Sequence, residues 1–263
     1  MKSFSWHETD SFLHRLNPLT KLVLTLPVVI LVSFMFEPVT PLVIALIFVL
    51  ATRVLGRVPW RAIIRPFAIA VLLSVGMLWT GTVFYAGPGS EAGSPAHWIG
   101  PLRITDAGIV YGLAMAARLV AIFATSTLFV LTTDPTKFVL ALIQQGRLPF
   151  RLGYGVFAAY RFVPLLQEEF ANVRAAYQMR GGTEGNGLVG RIRESIGYAV
   201  PLMAIAVRKG ERVALAMDSR AFGALPHRTY YRQTSIGRDD VMFALGASAT
   251  LVAIVMIRAM VIG

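Results

Sequence analysis

Of the 263 residues, 56% are hydrophobic and only 15% are charged, against roughly 25% charged in an ordinary soluble domain, which argues against a water-soluble fold. Cysteine is absent and the four histidines (His7, His14, His97, His227) are scattered, leaving no disulfide, no thiolate metal site and no zinc spacing. The formal charge of +11 is what a membrane protein gathers by keeping Lys and Arg in its cytoplasmic loops, and it points away from nucleic acid.

The N-terminal stretch carries Ser3, His7, Glu8, Asp10 and Arg15 without a short apolar segment ending in a small-residue cleavage site, so no secretory leader is expected. A helix needs about 20 mostly apolar residues to cross a bilayer. Leu19 to Phe36 is the first such run. Glu37-Pro38 breaks it, and Val39 to Leu55 follows after a connection short enough only for a tight hairpin. Ala62 to Tyr85, with Pro66 as a kink, is the third span, and Gly108 to Leu131 is the fourth. Arg53, Arg57, Arg61 and Arg65 crowd the second connection, whereas the first has no Lys or Arg and the third only Arg103. That asymmetry places the second connection and the N-terminus in the cytoplasm and the Ala86 to Ala107 loop outside.

The segment from Thr132 to Asp240 then lies inside, and it is neither a span nor a low-complexity linker. Phe162, Leu166, Phe170, Val173 and Tyr177 recur at the spacing of one helical face. A second row runs through Ile196, Val200, Met203, Val207, Gly210, Ala214 and Met217. Two long amphipathic helices are expected, separated by a Gly-rich linker from Gly181 to Gly190. They read as imperfect copies of one device, each with Pro-Leu early (Pro164-Leu165, Pro201-Leu202) and an Arg late (Arg180, Arg220). A fifth span, Val241 to Ile262, ends outside. The expected fold is therefore an all-α polytopic membrane protein in three regions: 1–131 with four spans, 132–240 with the cytoplasmic helices, and 241–263 with the last span.

An Arg in the last turn of a helix can simply favour the negative end of the helix dipole. Arg180 and Arg220 also stand beside small residues, Gly181 and Ala221, which suits insertion into a groove where the planar fork takes a carboxylate or carbonyls. No Gly-x-x-x-x-Gly-Lys-Ser/Thr run is present, so nucleotide phosphates must be handled by a partner. Glu37 and Asp106 sit at span ends and Arg118 is the lone charge read deep within a span. Such a charge needs a partner, either carbonyls and hydroxyls of neighbouring helices or a substrate. Gly108, Gly112 and Ala116 form a small-residue row that permits close packing, within the chain or against another subunit. His7, Glu8 and Asp10 read as an exposed polar N-terminus rather than a membrane enzyme's acid/base set. No cofactor is expected.

Asp10-Ser11 with His14-Arg15-Leu16-Asn17-Pro18, then Leu131-Thr132-Thr133-Asp134-Pro135, Arg161-Phe162-Val163-Pro164 and the two Arg-containing helix ends together resemble the T component of energy-coupling-factor transporters. The resemblance runs from about Asp10 to Gly223. It implies a non-catalytic coupling subunit of an ATP-driven micronutrient importer in the cell membrane. Its partners would be two ATP-binding-cassette ATPases, a small membrane-embedded substrate-binding subunit and the lipid bilayer. The docking sites would be Met179-Arg180-Gly181 and Ser219-Arg220-Ala221, both departing from the family's Ala-Arg-Gly triplet. The alternative is the substrate-conducting permease of a conventional importer, whose Glu-Ala-Ala motif is not visible. The cargo is not specified by this chain.

Overall fold

The computed structural model describes residues 11–85, 87–88, 96–99, 102–179, 188–224 and 230–262. It is helical apart from one short hairpin. The chain divides into two compact units: residues 1–141 with 234–263, and residues 142–233.

Unit 1 opens with a single turn, α1 (Phe12–Arg15). The α2 helix (Pro18–Ser33) starts where Asn17 accepts from the Leu19 N–H at 3.0 Å, with proline at its first position, where no intrahelical donor is lost. It ends before Glu37-Pro38, and α3 (Val39–Val54) returns at once. The α3–α4 connection turns on Arg57, whose φ is +49°. In that connection Arg53 donates to the Val58 carbonyl and lies over the Trp60 ring. The α4 helix (Trp60–Val83) continues through Pro66. The loop expected after it contains an antiparallel hairpin, β1 (Ala96–Ile99) and β2 (Leu102–Thr105), which pairs Ala96 with Thr105. The stretch reads as loop from sequence because its Gly, Pro and Ser content outweighs eight residues of strand. Thr105 then caps α5 (Asp106–Thr132) by accepting from the Gly108 N–H, the usual service of a threonine at a helix start.

The α5 helix is the axis of the unit and packs against α2, α3 and α4. Against α4 the backbones touch. A Cβ on Gly112 would lie 2.6 Å from the Leu78 carbonyl oxygen, and one on Gly81 2.8 Å from the Gly112 Cα. The Gly108–Gly112–Ala116 row is thus used within the chain, along α4. On the opposite side Val28, Val32, Met35, Ile44, Ala45, Val120, Ala121 and Ala124 form the core. Among the described residues, α4 and α5 are long and apolar enough to cross a bilayer. The α2 and α3 helices have 16 residues each, about 24 Å at 1.5 Å per residue. The outer face of α4 leaves Leu72 and Val75 exposed.

Three of the distant sequence segments meet at one end of this unit. Lys21, only 1% exposed, donates to the Thr132 carbonyl at 2.8 Å and approaches its hydroxyl at 3.4 Å, closing the C-terminus of α5. Asp240 accepts from the Asn17 N–H at 2.6 Å and the Gly237 N–H at 2.8 Å, tying the start of α9 (Arg238–Ile262) to the start of α2. Whereas Arg118 is half-buried, Lys21 is thus a buried cation. Its position near the start of an apolar run disguised it as an ordinary end charge.

α6 (Pro135–Gln144) bridges the boundary of the two units, its first turn held by Asp134, which accepts from the Thr136 N–H. Unit 2 contains two long helices, α7 (Phe150–Met179) and α8 (Leu188–Asp218). Because α8 begins at Leu188, the last three residues of the expected linker, Leu188 to Gly190, are helical. The helices run antiparallel: Tyr177 Oη donates to the Gly197 carbonyl, and Lys209 Nζ sits 2.8 Å from Glu169 Oε1.

Candidate functional site

The α7 face that meets α8 is the one expected, with Phe162, Leu166, Val173 and Tyr177 half-buried. On α8 the packed row is a different one. Tyr198 is buried, its ring edge-on to Phe170 and Tyr177, and Ile205, Lys209 and Val213 follow at helical spacing. The expected row of Ile196, Val200, Met203 and Val207 is exposed. Lys209 is what hid the true face: a charge in the middle of an apolar row reads as solvent-facing, whereas here it pairs with Glu169. That hydrogen bond and the lysine's charge hold the Glu169 carboxyl below its ordinary value.

The end of α8 is built to present Arg220. The Phe222 N–H donates to the Met217 carbonyl and the Ala221 N–H to the Asp218 carbonyl, the paired bonds of a Schellman ending. Ala221 takes φ +53°, the left-handed conformation that this ending demands and glycine meets most easily. The small residue after Arg220 therefore serves to stop the helix. Phe222 comes next and inserts edge-on between Phe150, at 5.7 Å, and Tyr154, at 5.4 Å, of α7. Gly223, at φ +89°, follows, with the Arg151 guanidinium against its open side. Ser219, Arg220 and Ala221 are all exposed. The Arg220 guanidinium makes no ion pair or side-chain hydrogen bond among the described residues. An exposed cation on a helix end is thereby fixed by an aromatic staple.

At the other end of the pair, Met179 closes α7 and is 90% exposed. Arg180 and Gly181 lie outside the described residues. In the register set by Tyr177–Gly197 and Glu169–Lys209, the C-terminal ends of these helices of 30 and 31 residues lie roughly 30 Å apart along the pair.

Arg118 is committed within unit 1. Its Nη2 donates to the Met35 carbonyl at 2.6 Å, its Nη1 lies 3.6 Å from Met115 Sδ, and the guanidinium stands 5.2 Å from the Phe36 ring centroid. It thus caps the turn that ends α2, where a cation also favours the helix dipole. Among the described residues no group of three or more His, Cys, Asp and Glu is placed to hold a metal ion.

A family model described as cobalt transport protein, CbiQ, matches residues 9–231. The chain belongs to this family. It is 28% identical to the energy-coupling factor transporter transmembrane protein EcfT of Thermosediminibacter oceani, over 95% of this chain and 94% of that one. Against the EcfT of Streptococcus thermophilus the identity is 30%, over 85% and 86%. A putative ABC transporter ATP-binding protein, BL0043, of Bifidobacterium longum is 28% identical over 93% of this chain, which accounts for 32% of that longer protein. The protein is accordingly an all-α membrane protein, a transmembrane component of the energy-coupling-factor type.

Proposed function

We propose that this protein is the non-catalytic coupling subunit of an ATP-driven micronutrient importer, and that Arg180 and Arg220 each dock one copy of an ATPase. The observation that carries the reading is Arg220: an exposed guanidinium, without a side-chain partner among the described residues, on a helix ending stapled by Phe222. A charge whose only task is to favour the helix dipole needs no such mounting. Two tips at opposite ends of an antiparallel pair suit two equivalent partners, so that one copy of this chain serves a pair of ATPases. The relative in which a similar segment belongs to a protein named as an ATP-binding protein supports the same partnership. Closure of the ATPases would displace the two tips, and α7 and α8 would carry that motion to a separate substrate-binding membrane subunit. The exposed Ile196, Val200, Met203 and Val207 row offers an apolar surface for that contact. The cargo, a vitamin, vitamin precursor or transition metal, is chosen by that other subunit.

In the membrane the chain has five spans, α2, α3, α4, α5 and α9, with the N-terminus and the Thr132 to Asp240 region in the cytoplasm of a plasma-membrane protein. The arginines of the second connection support this threading. The regions 1–131, 132–240 and 241–263 then alternate membrane, cytoplasm and membrane. Because cysteine is absent, single Cys probes at Ser94 and Thr183 test it. Labelling by an impermeant reagent in intact cells is expected at position 94 and not at position 183.

The decisive experiment is ATPase recovery with protein solubilised in mild detergent. A hot-spot Arg in a desolvated groove contributes about 2 kcal/mol or more, roughly thirtyfold in affinity. Arg180→Glu and Arg220→Glu should each weaken assembly, and the double variant should abolish it. Arg174→Glu and Arg208→Glu, exposed on the same helices, should leave it unchanged. Full recovery with a folded double variant would return both arginines to the helix-dipole role.

A further inference from the structure

Unit 1 contains an elongated apolar cavity of about 430 Å³ between α9 and the α2–α3 pair. One end is bounded by Lys21, Leu55 and Met242, and the other by Val28, Ile44 and Ile254. From Met242 to Ile254 along α9 is about 18 Å, and from Leu55 back to Ile44 along α3 about 16 Å. Both lengths are close to half of a hydrocarbon core about 30 Å thick. The slot therefore starts at the layer where α2 begins and α3 ends, and stops at mid-membrane depth. Its volume over its length gives a section of about 24 Å², the girth of one extended hydrocarbon chain.

The wall is apolar except for threonines and one charged residue, Lys21, at the outer end. Lys21 is buried, and its Nζ donates to the Thr132 carbonyl and approaches the Thr132 hydroxyl. Asp240, the nearby acid, is committed to the Asn17 and Gly237 N–H groups. Arg53, in the last turn of α3, and Arg57, on the α3–α4 connection, flank Leu55 at the same end. An apolar groove of this size, left empty, forfeits dispersion contacts along its lining, and apolar walls do not recruit water to replace them. The available neighbour at this depth is lipid.

We propose that the slot is a binding site for one anionic phospholipid, its acyl chain lying between α9 and α3 and its headgroup held at the slot mouth by the field of Lys21, Arg53 and Arg57. The lipid would act as a packing element that seats α9, which among the described elements packs mainly on α2.

The test is native mass spectrometry of the full chain released from nanodiscs containing nine parts phosphatidylcholine to one part phosphatidylglycerol. The wild type should retain one phosphatidylglycerol. Gly246→Leu places its Cβ in open space, with nothing within 4 Å, and should obstruct the slot at mid-length and retain none. Lys21→Met should keep a lipid but lose about fivefold of the preference for phosphatidylglycerol, the factor one lysine near a headgroup supplies. A phosphatidylglycerol carrying a photoreactive acyl chain provides a second reading on the unaltered protein. Its cross-links should fall within residues 242–254 and 44–55. Equal retention by wild type and Gly246→Leu, lipid held in membrane proportion, an unchanged preference in Lys21→Met, or cross-links confined to the outer face of α4 would each overturn the proposal.

Discussion

Truncating Phe222 to alanine should weaken ATPase docking without touching Arg220. The ring is half-buried and makes edge-on contacts with Phe150 and Tyr154. Such pairs contribute about 0.5–1.5 kcal/mol each beyond area burial, so the staple holds the tip by about 1–3 kcal/mol. Freed of it, the residues after Asp218 sample other conformations, and docking must first restore the Schellman ending. That ordering comes out of the affinity. A loss of about 2 kcal/mol corresponds to roughly thirtyfold in Kd. The assay is titration of purified ATPase onto the chain in nanodiscs, comparing wild type, Phe222→Ala, Phe222→Tyr and Arg220→Ala. Phe222→Tyr keeps the ring and should bind within about threefold of wild type. If Phe222→Ala binds as tightly as wild type while Arg220→Ala does not, the arginine needs no mounting and the staple reasoning fails.

Ala221→Gly removes a left-handed alanine at φ +53°; the strain relieved, about 1–2 kcal/mol, exceeds the added chain entropy of about 0.4–1 kcal/mol. Thermal unfolding should therefore show a small stabilisation, and Ala221→Val the reverse. Gly112→Ala places a Cβ 2.4 Å from Thr82 Oγ1 and 2.6 Å from the Leu78 carbonyl, an overpacking of about 1–3 kcal/mol. It should lower the unfolding temperature in detergent, while Gly76→Ala on α4, with nothing within 4 Å, should not. Glu169 has its carboxyl held below 4.5 by Lys209, so the pair supports α7–α8 contact above about that pH and loses it as pH falls through the lowered value. Fluorescence transfer between probes on the two helices should show this acid step in wild type and not in Glu169→Gln.

The apolar helices are legible because apolar length is a strong signal, and Glu37-Pro38 and the arginine cluster supply the breaks. Observed boundaries, such as Asp106–Thr132 for the expected Gly108 to Leu131 and Pro18–Ser33 for Leu19 to Phe36, differ by up to three residues, because caps and turns set a helix end more finely than apolar length does. The hairpin at Ala96–Thr105 was not legible, since its register depends on backbone pairing that turn-rich composition conceals. Facing was harder than existence. On α8 the sequence offers two apolar rows, and long-range contacts decide between them: Lys209 with Glu169, and Tyr198 with Phe170 and Tyr177. At the site, the Arg and its small neighbour could be read from sequence, but the Phe222 anchor could not, because its partners lie about seventy residues earlier. The same holds for Lys21, whose acceptor on Thr132 is 111 positions away.

The bond from Asn17 to Asp240 spans 223 positions, and that distance sets an order of assembly. Unit 1 is interrupted by residues 142–233, so a ribosome finishes all of unit 2 before α9 can reach the helices it completes. Throughout that interval the Asn17 amide and the flank of α2 wait uncovered. A chain that stalls or terminates within unit 2 never acquires the carboxylate that closes the first helix against the last. Such a fragment remains open along one side within the bilayer, a state that membrane proteases can distinguish from the finished protein.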